Sequence, residues 1–394
     1  MKDSFFAKLE PANKYVLICC FILFSANGMT TAILGSLLPL ISYEHALSNT
    51  VSGSLLSVHQ AGMMGAVFLA GILPFYFGRK RVLLIACGFA VCGFILMTVS
   101  GNPLWLLVSF LFAGLGRGSV SNFCNSAVSE VSGGSAGALN FLHGIFAVGA
   151  LLAPLFVMFG VQVFGEPGWR FGALLLTAFL LFNMCLFPRA KLVEFTKEQR
   201  QKLSYQFLKK RIVWYHIGAT FFYIVAESTV IGWLVMYFVR AEIMPAQLAQ
   251  ILASILWVAV FAGRISIVLV GSRLSKSRIL LLTSSGMAIF YITLLFMRGV
   301  LPITLVVIGL GFCMAGIFPT LIASSGKIMK EYPMSLGVML LIGISAAIVM
   351  PLVTGILSDS FGLLAGMSAV IAALILLLLF VILIARSKVE EPED

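Results

Sequence analysis

The chain has 394 residues, 60% of them hydrophobic and only 10% charged, with a formal net charge of +11 and a mean hydropathy of +1.07. A soluble domain of this length would carry about 25% charged residues, so the composition excludes a water-soluble enzyme, a nucleic-acid binder and a disordered chain. What remains is a polytopic membrane protein.

Crossing ~30 Å of hydrocarbon takes about 20 mostly apolar residues in a helix, and twelve such stretches lie between charged or Pro/Gly-rich breaks. In chain order they are Tyr15 to Ser42, Val51 to Phe77, Val82 to Ser100, Leu104 to Ala127, Ala136 to Phe164, Arg170 to Phe187, Ile212 to Val239, Ala246 to Val270, Ile279 to Met297, Pro302 to Ala323, Ser335 to Leu357 and Leu363 to Ile384. The fold class is therefore all-α with twelve transmembrane helices. The runs are continuous and lack period-two alternation, which excludes a transmembrane β-barrel.

Of the 26 basic residues, 21 fall on the side that holds both termini and only Arg170, Arg240 and Arg298 fall on the other. The positive-inside rule then places both termini in the cytoplasm. The longest polar interruption, Pro188 to Arg211, holds eight basic residues and separates six helices from six. Residues 1–187 are read as one six-helix bundle, 188–211 as a cytoplasmic linker, and 212–394 as a second bundle with a short acidic tail, Glu390-Glu391-Pro392-Glu393-Asp394, which reads as disordered. Features recur between the halves. The stretch from Gly71 through Arg79-Lys80-Arg81 to Val82 parallels that from Gly271 through Arg273 and Lys276 to Arg278; Gly149 to Pro154 in helix five parallels Ala346 to Pro351 in helix eleven. Two six-helix repeats are a common transporter architecture.

The seven cysteines all sit in apolar spans and read as small hydrophobes. Glu10, Pro11 and Asn13 ahead of the first span, with no small-residue cleavage pattern after it, argue against a removable signal peptide. No phosphate-binding Gly-rich loop, metal-ligand spacing or nucleophile elbow occurs. The expected protein is not an enzyme, takes no cofactor or metal, and draws energy from an ion or solute gradient. A monomer is expected.

The segment Gly71-Ile72-Leu73-Pro74-Phe75-Tyr76-Phe77-Gly78-Arg79-Lys80-Arg81 resembles the cytoplasmic signature of the major facilitator superfamily, Gly-x-Leu-Ala-Asp-x-x-Gly-Arg-Lys-Arg. Phe75 stands where the family has Asp, so the charge contact that this Asp makes with a neighbouring helix end is not implied here. Leu37-Leu38-Pro39, Gly114-Leu115-Gly116 with Asn125, and Leu139-Asn140 with Gly149 resemble the fucose permease group of sugar:proton symporters. That resemblance implies coupling acids in helices one and four, but the matching positions are Gly35 and Ser121.

A charged group at bilayer depth costs at least about 2.5 kcal/mol on insertion scales, so each asks for a reason. Of the 15 acidic residues only Glu227 lies well inside a span, roughly 22 Å along helix seven at 1.5 Å per residue. It is the first candidate for proton coupling; a structural carboxylate is the alternative. Arg117, Ser121 and Asn125 share a face of helix four at i, i+4 and i+8 and can grip a carboxylate or several hydroxyls. The alternative is an Arg117 that pairs with Glu227 or with carbonyls. Asn140 and His143 share a face of helix five, as an inner gate, as solute contacts, or with His143 as a proton carrier; a histidine hydrogen-bonded between helices is the plainer reading. His59 beside Gln60 is read the same way, and Arg264 as a tie between helix ends or a snorkelling residue. A sugar site needs aromatic platforms and amides, for which Trp233, Tyr237 and Trp257 in the second half and Asn27, Gln60, Asn122 and Asn125 in the first are candidates. The leading expectation is proton-coupled import of a sugar or acidic sugar derivative by alternating access. Proton-driven efflux of amphipathic compounds and a transporter-like sensor are the alternatives.

Overall fold

The computed structural model describes residues 9–70, 72–190, 192, 206–270, 273–326, 331–332 and 334–387. The described residues contain no strand, and twelve of their helices are long and apolar enough to cross a membrane. These are α1 (Pro11–Glu44), α2 (Asn49–Ala70), α3 (Arg79–Val99), α4 (Pro103–Val131), α5 (Ala136–Phe164), α6 (Trp169–Leu186), α7 (Arg211–Arg240), α8 (Ala246–Val270), α9 (Lys276–Phe296), α10 (Val300–Ser324), α11 (Met334–Phe361) and α12 (Leu363–Arg386). Most of the expected linker, the acidic tail, and Gly71 and Gly271 of the repeated loops lie outside the described residues.

Some helices run a turn or more past the apolar stretch that marks them, as α1 does at its start and α11 does by continuing to Phe361. Each extra turn keeps backbone groups bonded inside the helix where the chain leaves the hydrocarbon. Helix two is shorter than expected. It stops at Ala70, and Leu73–Phe77 forms a separate five-residue helix. Pro74 lacks the N–H that a continuous helix would use there, and its ring opposes the preceding turn. Elsewhere the stops are local. Asn102 accepts from the Leu104 N–H at 2.9 Å and Pro103 follows it into α4. Gly299 and Gly362, at φ of 88° and 89°, take the left-handed backbone that reverses the chain before α10 and α12.

The chain divides into two compact units, Met1–Arg200 and Gln201–Asp394. In the first, α1 packs on α4, α5 and α6, α2 on α4, and α3 on α4 and α6. In the second, α7 packs on α10, α11 and α12, α8 on α10, and α9 on α10 and α12. Shifting every index by six converts one scheme into the other, so the recurring sequence features mark a repeated packing plan. Small residues permit its tightest crossings. A side chain on Gly28 would strike the Phe146 carbonyl and one on Gly149 the Ser25 carbonyl, where α1 meets α5. Gly62 and Gly114 do the same between α2 and α4, against Leu111 and His59.

Candidate functional site

In the first unit the polar groups at depth converge on Arg117. Its Nε donates to Thr31 Oγ1 at 2.8 Å, and Nη1 reaches Gln60 Oε1 at 3.3 Å and Met63 Sδ at 2.8 Å. Three helices, α1, α2 and α4, thus contribute to one cluster. Thr31 in turn donates to the Asn27 backbone carbonyl at 2.9 Å, which places Asn27 one turn away. Asn27 is buried, and its side-chain Oδ1 has no hydrogen-bond partner among the described residues. A buried amide oxygen without a donor is uncommon in a folded protein and suits a position that a solute hydroxyl completes.

Other first-unit candidates are placed differently. Asn125 donates its amide to the Ser121 carbonyl on its own helix at 2.8 Å. Asn122 lines a separate cavity of about 30 Å³ with Ser119, Phe123, Ser126 and Arg79. Asn140 is exposed, and His143 sets its ring edge-on to Phe24, with centroids 5.4 Å apart. His59 is buried with Nδ1 3.3 Å from the Phe110 carbonyl, which ties α2 to α4. Arg79, 3% exposed, donates to Glu130 at 2.6 Å and to Ser126 at 3.0 Å. The basic cluster therefore keeps a charged contact to the end of α4 without the Asp that Phe75 replaces.

In the second unit Tyr223 donates to Glu227 Oε1 at 2.7 Å, one turn along α7, and the Met314 carbonyl of α10 lies 3.2 Å from the same hydroxyl. Phe318 stacks on Tyr223 with centroids 6.3 Å apart. Trp233 is fully buried with Nε1 unpartnered among the described residues, Trp257 is buried, and Tyr237 spends its hydroxyl on the Leu295 carbonyl at 3.0 Å. His216 is buried between the Ile212 carbonyl and Ser324 Oγ. At the foot of α7, Lys210 reaches both oxygens of Glu331 at 2.7 Å, and this carboxylate holds the Lys210 ammonium above its ordinary pKa.

Of the expected solute contacts, the structure joins Gln60 to Arg117 directly and Asn27 through Thr31. Two participants were missed from sequence. Thr31 has one signal, its i+4 spacing from Asn27, and Tyr223 has the same spacing before Glu227. Hydroxyl side chains are common in membrane helices, and only the packing shows which ones hold a charged partner.

Twelve helices long and apolar enough to span a membrane, in two units with one packing plan and with charged groups held inside the spans, define a multi-pass membrane protein. Residues 20–343 match the family model described as Major Facilitator Superfamily, and the chain belongs to that family. A glucose/mannose transporter of Bacillus subtilis (strain 168) is 21% identical over 325 residues, covering 79% of this chain and 80% of that protein. A gallate transporter of Pseudomonas putida is 29% identical over 119 residues; the match covers 29% of this chain and spans only 26% of that protein's own length. The crystal structure of a D-xylose-proton symporter superposes with a TM-score of 0.77 at 14% identity, covering 94% of this chain and 97% of that one. At that identity the likeness concerns the fold.

Proposed function

We propose that this transporter couples protons to the uptake of a small polar solute, a sugar or an acidic sugar derivative, by alternating access. The observation that carries the reading is the Arg117 cluster. A guanidinium braced by Thr31, Gln60 and Met63 at bilayer depth, with the unpartnered Asn27 Oδ1 a turn away, offers donors and an acceptor on one polar surface. Donors of that kind bind hydroxyls and carboxylates, and a planar guanidinium does so with defined geometry. Glucose, mannose and gallate, for which two relatives are named, each carry several hydroxyls on one ring, which is the same recognition problem.

Glu227 is the proton carrier in this reading, with Tyr223 as the partner that orients it. Gly35 and Ser121 leave the first half without the acids of the fucose permease group, so coupling falls to the second half; His143 is the next residue in line. The protein works as a monomer in the cell membrane with both termini cytoplasmic, an orientation supported by the distribution of basic residues.

The test is uptake into proteoliposomes of labelled glucose, xylose, glucuronate and galacturonate, with and without an imposed pH gradient. At least one solute is expected to accumulate above its external concentration only when the gradient is present. Equilibration without accumulation under every gradient would contradict proton coupling and leave a facilitator.

A further inference from the structure

One cavity of the first unit takes no part in the Arg117 cluster. It holds about 180 Å³ between α2 and α3, with α4 and the five-residue helix Leu73–Phe77 also contributing walls. From α3 come Val82, Ile85, Ala86 and Phe89, spaced i, i+3, i+4 and i+7 and so on one face. Both α2 and α3 pack on α4, and small side chains such as Ala70 and Ala86 leave the space between them open. It is a groove and not a closed void, because Ile85 and Phe89 are exposed at the protein surface. Ser119 is the one polar residue among the described residues that line it.

The groove has a polar end and an apolar end. The small cavity that contains Arg79 and Asn122 shares Ala70, Val82 and Ser119 with it, which puts the start of α3 at the polar end. Phe89 lies seven residues beyond Val82 on the same helix, roughly 10 Å deeper at 1.5 Å per residue. Basic side chains gather at the polar end. Arg81 is exposed directly ahead of Val82, Lys80 donates to the Pro188 carbonyl at 2.9 Å, and Arg189, also exposed, follows Pro188. Glu130 is already matched by Arg79 at 2.6 Å. An apolar cavity of about 150 Å³ stays dry and takes up hydrocarbon, and one hydroxyl gives water too few partners here.

We propose that this groove binds an anionic phospholipid of the cytoplasmic leaflet, with part of one acyl chain lying between α2 and α3 and the phosphate against Arg81, Lys80 and Arg189. The site takes up the orientation proposed above and is independent of which solute the protein moves. Charge complementarity selects the head: clustered basic residues at the cytoplasmic end of spanning helices attract anionic headgroups, whereas a zwitterionic head brings a cation of its own into the patch. The shape selects the tail, since a single flexible chain can enter a trough that runs along one face of α3.

Native mass spectrometry of the purified full-length protein, titrated in detergent with dioleoylphosphatidylglycerol or dioleoylphosphatidylcholine, reads the binding of the first lipid. The chains are identical, so the ratio reports the headgroup. The wild type is expected to bind the anionic lipid about tenfold more tightly or better. Arg81→Gln should cut that preference about fivefold, the effect of one basic residue at an anionic surface, and leave phosphatidylcholine binding as it was. Ala70→Trp, whose indole occupies the polar end of the groove, should weaken both lipids about tenfold. The thermal midpoint without added lipid checks that each variant is folded. Equal binding of the two lipids by the wild type overturns the proposal and needs no variant. Lipid binding unchanged in either folded variant overturns it too, because the lipid then sits elsewhere on the surface.

Discussion

Replacing Glu130 with Gln tests whether the basic loop between α2 and α3 is held by charge. Arg79 opens α3, is 3% exposed, and meets Glu130 at 2.6 Å, Ser126 at 3.0 Å and the Phe123 ring at 5.7 Å from its centroid. Breaking a fully buried ion pair by removing one partner costs about 3–5 kcal/mol, and an exposed pair contributes about 0–1 kcal/mol. Here one partner is buried and the other has a side chain 39% exposed, so water supports Glu130 but not Arg79, and the loss should fall between, at about 2 kcal/mol. Gln keeps an acceptor oxygen at nearly the same place, so the loss reports the charge and not the volume. For a cooperative unit of about 200 residues each kcal/mol shifts the midpoint by about 2–4 °C, which gives an expected fall of about 4–8 °C in a detergent thermal-unfolding assay. Lys80, half-buried and bonded among the described residues to the Pro188 carbonyl at 2.9 Å, serves as the control, and Lys80→Ala should move the midpoint by less than about 2 °C. A Glu130→Gln midpoint within a degree of wild type, or an equal fall in Lys80→Ala, would refute the assignment.

Gly114→Val places a branched side chain against the His59 backbone carbonyl, which cannot move aside as a side-chain tip would; the expected loss is about 3 kcal/mol or more, seen as disappearance of the monodisperse peak in size-exclusion chromatography. A cysteine at Ser48 should react with a membrane-impermeant maleimide added outside intact cells, and labelling only from the inner face would invert the proposed topology. Arg117→Lys keeps the charge but loses the fork that reaches Thr31 and Gln60 together, so the solute identified by uptake should bind at least tenfold more weakly, about 1.4 kcal/mol.

The twelve helices were legible because each needs an apolar run that nothing else in the chain explains. Their ends were less so. The run from Val51 to Phe77 looks continuous in hydropathy, and the break after Ala70 follows from Pro74, whose backbone effect outweighs the apolar side chains around it. At the candidate site, spacing along α4 picked out Arg117 on one face with Ser121 and Asn125, but not the groups on other helices to which it bonds. A long helical side chain leans toward the N-terminus of its own helix and outward, and Arg117 reaches Thr31 of α1 and Gln60 and Met63 of α2. Asn125 meanwhile turns back on the Ser121 carbonyl. Arg264 was read as an end tie or a snorkelling residue because its position near the end of α8 is visible in sequence, whereas whether its Nε and Nη1 find partners among the described residues is a property of packing.

The central claim is that a proton crosses with the solute and that Glu227 carries it. Proteoliposomes loaded with a trapped pH indicator, without an imposed gradient, report this directly when the solute is added outside. The account predicts acidification of the lumen that follows solute entry in wild type and is absent in Glu227→Gln, which resembles the protonated acid in shape and cannot release a proton, while solute binding persists. Acidification by Glu227→Gln equal to that of wild type would contradict the assignment to Glu227, and solute entry into wild-type vesicles with no change in lumenal pH would contradict proton coupling itself.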